Sequence, residues 1–364
     1  MTFQIEPKHS HYQTSRVGVL LCNLGTPDAP TAPALRRYLA EFLSDHRVVE
    51  IPKPIWWLIL HGIILRIRPA KSAKKYASIW MEDGSPLRVW TERQAKLLRT
   101  HLVERGHANA DVRYAMRYGN PGMASVLNGM KAAGCDRILI LPSYPQYSGT
   151  TTASVLDAVY SWGQRVRRVP EFRFINNYHD HPDYIGALAA RVKGHFQSHG
   201  KPQVLVLSFH GVPERTLHLG DSYHCECYKT ARLLRERLDL APETVKVTFQ
   251  SRFGKAKWLE PYTEPSLVAL AHAGTQHVAV MCPGFTVDCL ETLEEIQMEA
   301  KEAFLHAGGK QFDYIECLND SPDWINALAN ITEQHLQGWP TKQLDDSAAR
   351  QAQAVAAKAL GAAQ

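Results

Sequence analysis

Two groups of side chains in this sequence could do chemistry. His210 follows the apolar run Val204–Phe209 and precedes Gly211 and Pro213. An imidazole at a strand exit can act as a base near neutral pH or as a metal ligand. It can equally well hydrogen-bond a neighbouring loop. Asp288, Glu291 and Glu295 are spaced by three and by four, which puts them on one helical face, and Glu299 and Glu302 extend the row. Carboxylates in one row repel unless a cation or protons offset them, so the row suits a metal path or a proton relay. The same residues would also suit a helix start, where acids are favoured. His224, Cys225 and Cys227 invite a zinc or iron–sulfur reading, but no second cysteine pair stands at a suitable spacing. Thiols in a reducing compartment are the simpler reading. The hydroxyl-rich stretch Tyr144–Thr152 could hold ligand carboxylates or cap the next helix. Trp258 and Tyr262 could stack on a flat ligand or belong to the core.

The elements that must position these residues are legible as short, continuous apolar runs at Val17–Asn23, Arg137–Leu141, Val204–Phe209 and His277–Cys282. Such runs read as strands covered on both faces. They alternate with helical patterns, which gives an α/β fold with parallel sheets. Leu35, Tyr38, Leu39 and Phe42 share one face of a helix that Asp28 or Thr31 would cap. Three landmarks then recur in order: Gly25-Thr26-Pro27 is echoed by Gly211-Val212-Pro213, Arg117-Tyr118-Gly119 by Arg252-Phe253-Gly254, and Leu141-Pro142 by Cys282-Pro283. The chain therefore reads as two similar lobes, residues 14–180 and 181–336. Ligands in such sheets sit beyond the carboxyl ends of the strands.

The interval Gly25–Gly119 is roughly twice Gly211–Gly254, so the first lobe carries an insertion, at about residues 48–90. Inside it, Ile55–Leu65 is strongly apolar and is followed by Arg66, Arg68, Lys71, Lys74 and Lys75. It falls short of the ~20 residues a membrane span needs. It is either a buried helix or an apolar lip over a hydrophobic ligand, able to touch a membrane surface. The Ala/Gln-rich tail, residues 340–364, reads as a frayed or flexible helix.

Bulk properties narrow the class. The chain has 364 residues, 45% apolar and 21% charged, with a formal charge of +5, which fits a globular protein with a large core. No dense Lys/Arg run argues for nucleic acid. The cysteine count is odd at seven, which suits reduced thiols and a cytoplasmic setting. The polar N-terminus with His9 and His11 lacks the apolar stretch of a secretory signal. The common nucleotide-binding glycine motifs are absent.

Five segments together resemble the ferrochelatase family: Asn23–Pro27, Tyr144–Ser148, Ser208–Pro213, Gln250–Gly254 through Trp258-Leu259, and Asp288–Glu295. The resemblance runs from about Val17 to about Ile331. It implies two Rossmann-like lobes, each with a parallel four-stranded sheet, and a porphyrin cleft between them. It implies that His210 and Glu291 are catalytic and face the metal, with Asp288 and Glu295 as an acidic path leading inward. It places Leu24, Ser85, Arg117, Tyr118, Tyr147, Ser148 and Trp258 around the substrate, and Trp56, Trp57, Ile59 and Leu60 in the apolar lip. Leu24 stands where coproporphyrin-using relatives often carry tyrosine, which points to protoporphyrin IX. Cys289 stands where some relatives have histidine. The cysteine-bearing C-terminal extension of cluster-containing relatives is missing, so no iron–sulfur cluster and no other prosthetic group is expected. Fe(II) is then a substrate, and the activity is its insertion into protoporphyrin IX as the last step of haem biosynthesis. A monomer with peripheral membrane contact is the expected form. Two other readings compete. A sirohydrochlorin-type chelatase would want more arginines and a less apolar lip, and a haem carrier would need no acidic row opposite a histidine.

Overall fold

The computed structural model describes residues 3–7, 15–254, 256–342 and 347–362. The N-terminal histidines His9 and His11, the lobe start at residue 14 and residues 343–346 and 363–364 of the tail lie outside them. The first sheet holds β1 (Arg16–Thr26), β2 (Ala110–Gly119), β3 (Cys135–Pro142) and β4 (Glu171–Phe174) in the order β2-β1-β3-β4. The second holds β5 (Val204–His210), β6 (Val245–Gln250), β7 (His277–Met281) and β8 (Gln311–Ile315) in the order β6-β5-β7-β8. Every pairing is parallel. The fold is thus α/β with two four-stranded parallel sheets, and the second repeats the strand order of the first.

The repeat extends to the turn after the second strand of each sheet. Met116 N–H donates to Pro121 O at 2.8 Å, and Phe249 N–H donates to Pro261 O at 2.8 Å. Both prolines follow a cis peptide bond, Asn120-Pro121 and Glu260-Pro261. Continuous burial marks the central strands: β1 and β5 bury nearly every residue. The edge strands β4 and β8 read Glu-Phe-Arg-Phe and Gln-Phe-Asp-Tyr-Ile, alternating polar with apolar. Polar residues at alternate positions leave no continuous apolar run.

Helices cover both sheets. In the first half they are α1 (Ala32–Leu43), α2 (Lys53–Ile59), α3 (Leu65–Ile79), α4 (Pro86–Glu104), α5 (Met123–Ala132) and α6 (Thr152–Gly163). In the second they are α7 (Pro182–His199), α8 (Arg215–His218), α9 (Tyr223–Arg237), α10 (Thr263–His272), α11 (Lys301–His306), α12 (Pro322–Leu336) and α13 (Ser347–Ala359). The largest core joins the halves: Val19 and Leu139 from one sheet and Leu207 and Ala279 from the other share it with Leu98 of α4, Val192 of α7 and Leu328 of α12. Separate cores fill the outer faces of the two sheets.

Helix α1 starts after Thr31, but neither expected cap forms. Thr31 makes no side-chain cap bond. Asp28 instead accepts from Asn120 Nδ2 at 3.0 Å and faces Arg37. A proline in the first turn supplies the helical φ and lacks an N–H to satisfy. The insertion folds as α2, a π-helical turn at Leu60–Ile64, and α3. Its apolar stretch turns out to be two-sided. Trp56 and Leu60 are buried against Leu35 and Leu39 of α1, whereas Ile55, Trp57, Leu58 and Ile63 stand more than half exposed. Of the four expected lip residues, then, Trp57 is exposed, Ile59 is half-buried, and Trp56 and Leu60 are inner packing. Among the described residues no helix is long and apolar enough to cross a membrane.

Candidate active site between the lobes

His210 is the last residue of β5, and register pairs it with Gln250, the last residue of β6. Its Nδ1 lies 2.6 Å from Gly211 O. A carbonyl can only accept, so Nδ1 carries a proton, and in the neutral imidazole the free lone pair is on Nε2. Gln250 is the hinge of the arrangement. Its Nε2 donates to Glu291 O at 2.8 Å, and its Oε1 accepts from Ser208 at 2.8 Å. The start of the acidic helix is thereby fastened to the strand pair that ends in His210.

That helix is not an α-helix. Residues Glu291–Ala300 form a π-helix, whose i→i+5 bonding widens the turn and is frequent at functional sites. The wider turn splits the acidic row in two. Glu291 and Glu295, four apart, face the cleft. Glu294 and Glu299, five apart, clasp Lys75 of α3 at 2.8 and 2.9 Å. Glu302 lies on the exposed side of α11. The expectation that Glu299 and Glu302 continue one stripe fails because it assumed the α-helical period.

Glu295 is held by the exit of β6. Ser251 N–H donates to Oε1 at 2.6 Å and Ser251 Oγ donates to Oε2 at 2.5 Å. Ser251 adopts φ +65°, a left-handed conformation that costs a non-glycine residue energy. The Glu295 carboxyl is within electrostatic reach of both His210 and Glu291. Burial raises its pKa above the usual carboxylate value, Ser251 and His210 oppose that, and Glu291 adds to it. Asp288 behaves differently. It is buried and accepts from Tyr314 at 2.5 Å, Asn319 at 2.6 Å and Thr292 at 3.0 Å. These bonds tie the start of the helix to β8 and the loop after it.

Glu291 lines a narrow slot with Leu24, Gly25, Thr26, Tyr38, Tyr76, Ser85 and Cys289. The slot brings the β1 exit, the insertion and the π-helix together. Burial and then the Glu291 charge push the Tyr76 phenol and the Cys289 thiol well up, so both stay protonated. A protonated thiol is a poor metal ligand. Ser85 is buried, and its Oγ is 2.7 Å from Thr26 Oγ1. Trp258 sits beside His210, with ring centroids 6.4 Å apart, and its indole N–H is buried without a partner. A buried donor left unpaired costs about 1–3 kcal/mol unless something accepts from it.

The remaining expected residues are engaged. Arg117 donates to Ser154 and to Asp45, the latter at 2.6 Å, and Tyr118 donates to Asp45 at 2.8 Å. Burial opposes the Asp45 charge, but Ser154, the Arg47 amide, Tyr118 and Arg117 hold its pKa below the usual range. Tyr147 N–H donates to Glu226 at 2.7 Å, and Ser148 Oγ donates to Asp221 at 3.1 Å. Asp45, Asp221 and Glu226 thus shape the cleft without having stood out in the sequence, and Ser251 and Lys75 appeared there only within the Gln250–Gly254 segment and the basic run after Leu65. Ser251 directly precedes the recurring Arg252-Phe253-Gly254 landmark, which was its available signal. Asp45, Asp221 and Glu226 have partners distant along the chain. Cys225 is exposed and Cys227 is buried, and both are free.

Comparison with known proteins fits this geometry. Residues 16–336 match the model of the ferrochelatase family. The ferrochelatase of Polaromonas sp. strain JS666 is 68% identical over 100% of both chains. That of Methylibium petroleiphilum is 66% identical over 98% of each. Among solved structures, SirB from Bacillus subtilis with Fe3+ aligns with a TM-score of 0.50 at 13% identity, covering 91% of this chain and 100% of that one, a likeness of fold. With a family model spanning most of its length and near-full-length relatives at this identity, the chain belongs to the ferrochelatase family.

Proposed function

We propose that the inter-lobe cleft inserts Fe(II) into protoporphyrin IX, with His210 and Glu291 at the metal and Glu295 behind them. The observation that carries this is the state of His210: its Nδ1–H is committed to Gly211 O, which leaves the Nε2 lone pair free within reach of a paired acid site. Insertion removes two pyrrole protons, strips water from Fe(II), and changes no oxidation state. Nε2 takes a proton as general base, and Glu291 and Glu295 carry protons away. The raised pKa of Glu295 suits a group that must accept them. Bending the macrocycle in a rigid cleft turns its nitrogen lone pairs outward, at the expense of binding energy gained elsewhere. The exposed Trp57, Leu58 and Ile63 supply apolar surface, worth about 25 cal/mol per Å² buried.

Leu24 in the slot beside Glu291 presents no hydroxyl at that position, which supports protoporphyrin IX. The unpaired indole N–H of Trp258 supports a carboxylate acceptor nearby, as a propionate offers. Asp288 has its oxygens satisfied by Tyr314, Thr292 and Asn319, which supports a role in anchoring the π-helix more than in carrying protons. The exposed lip supports peripheral contact with a membrane from the cytoplasm. The division at residues 180/181 falls just before α7, which opens the second half. In the test, purified protein is incubated anaerobically with Fe(II) and protoporphyrin IX while the visible spectrum is recorded. Conversion of free-base bands to haem bands is expected. Porphyrin bound without metallation would instead indicate a carrier.

A further inference from the structure

The loop that leaves β3 is bolted to the opposite lobe. Gln146 and Ser148 within it are buried, at 1% exposure each, although the loop belongs to the first lobe and its partners to the second. Tyr147 N–H donates to Glu226 Oε2 of α9 at 2.7 Å. Gly149 N–H donates to Asp221 Oδ2, in the turn before α9, at 2.7 Å, and Ser148 Oγ donates to the same oxygen at 3.1 Å. Gln146 Nε2 donates to Thr230 Oγ1 of α9 at 3.0 Å. Both acids are themselves held. Asp221 Oδ1 accepts from Tyr223 N–H at 3.0 Å. Glu226 Oε1 accepts from Ser222 Oγ at 2.7 Å and from Asn177 Nδ2 at 3.0 Å. Burial opposes the Glu226 charge, but His179, Ser222 and the Tyr147 amide keep its pKa below the usual carboxylate value. The loop also reaches the strand that carries His210. A Cβ on Gly284, after β7, would meet Phe209 at 3.4 Å and Gln146 Oε1 at 3.5 Å, and Phe209 immediately precedes His210.

We propose that Asp221 and Glu226 are positioning residues for metal insertion: from the second lobe they fix the Tyr147–Gly149 main chain of the first, and so set where the porphyrin lies relative to His210. This rests on the reading that the ring is held between that loop and His210. Charge-assisted bonds to backbone N–H groups are short and strong, and they hold the main chain directly. The tie between Glu50 and Arg215, whose side chains are both about half exposed, joins two flexible ends instead. The Tyr147 and Gly149 amides are taken by carboxylates, so those donors are not offered to a ligand anion, and the charges of Asp221 and Glu226 repel one. The loop therefore places a wall of the cleft and leaves propionates to other groups. Rigid placement matters because a misplacement of about 1 Å can cost about a hundredfold in rate.

The test compares Asp221→Ala with Asp221→Asn, whose side-chain oxygen can still accept from Gly149 N–H. Resonance Raman spectra of protoporphyrin IX bound to the metal-free proteins report how far the ring is bent. Steady-state assays with Fe(II) give kcat and porphyrin KM. Asp221→Ala should lower kcat about tenfold with KM within about threefold, and should weaken the out-of-plane bands. Asp221→Asn should recover kcat to within about threefold of the parent and restore those bands. A merely structural contribution would lower Tm in both variants without moving the bands or separating kcat from KM. If Asp221→Ala does not fold, Glu226→Ala and Glu226→Gln form the equivalent pair. Metallation by the parent protein answers for the cleft reading, and the contrast between the paired variants answers for these acids. A folded Asp221→Ala protein with parental kcat and parental bands, or an Asp221→Asn protein no better than it, overturns the proposal.

Discussion

The two lobes share a strand order and a proline turn, yet they divide the work. The first lobe contributes surface. Its insertion between β1 and β2 carries the exposed apolar face and Ser85, and its strand exits supply Leu24 and the Asp45-held Arg117 and Tyr118. The second lobe contributes ionisable groups. His210 ends β5, Ser251 follows β6, and the π-helix follows β7. The lobes meet through specific ties: Lys75 with Glu294 and Glu299, Arg68 over Phe253, and Glu50 with Arg215. A duplicated scaffold places two sets of strand exits face to face. What differs after each exit decides whether that half grips or reacts.

The equivalent glycines give the largest expected contrast. A Cβ on Gly25, at φ +118°, would lie 1.8 Å from Tyr118 O, against backbone that cannot yield. A Cβ on Gly211 would lie 2.8 Å from Gln250 O and 3.1 Å from Trp258. Gly25→Ala should abolish soluble folded protein. Gly211→Ala should fold with a lowered Tm, a loss of about 1–3 kcal/mol. Equal melting curves for the two would break the idea that the first exit is the more tightly built.

Next comes chemistry. Glu291→Gln should cut kcat by about a hundredfold or more with KM for porphyrin little changed. If steady-state turnover holds, Glu291 serves only the start of its helix. The lip should show the reverse pattern. Trp57→Ser with Leu58→Ser should raise porphyrin KM about tenfold, equivalent to roughly 60 Å² of apolar contact at about 25 cal/mol per Å². Its kcat should stay within about twofold. A fall in kcat alone would move the lip from gripping to catalysis.

The smallest effect concerns stability. The folded-state pKa of Glu295 is raised, with burial the main cause. Its contribution is therefore fully present below the unfolded carboxylate pKa and is lost as pH rises through the folded value. Glu295→Gln should unfold at higher urea than the parent protein near pH 8, by about 1 kcal/mol or less. That advantage should shrink toward pH 4. An advantage that grows on acidification contradicts the assignment.

Much of this was readable from the chain because the central strands are buried on both faces and announce themselves as apolar runs. The landmark repeat exposed the two-lobe plan, and His210 stood out because a histidine closed one of those runs. The edge strands β4 and β8 escaped because polar residues interrupt their apolar ones. The π-helix escaped because a spacing of four is compatible with α and π periods alike, so the acids that bind Lys75 looked continuous with those facing the cleft. Asp45 and Glu226 escaped because their bonds join residues far apart in sequence. The apolar stretch Ile55–Leu65 posed a choice between buried helix and lip, and one of its faces is buried while the other stands exposed.

The central claim is that the unprotonated Nε2 of His210 acts on the ring held between the lobes. Single-turnover metallation by His210→Ala, with porphyrin affinity measured in the same samples by fluorescence quenching, tests it most directly. The account predicts an affinity within about threefold of the parent and a metallation rate lower by at least about a thousandfold. Metallation at the parental rate with porphyrin bound would contradict it.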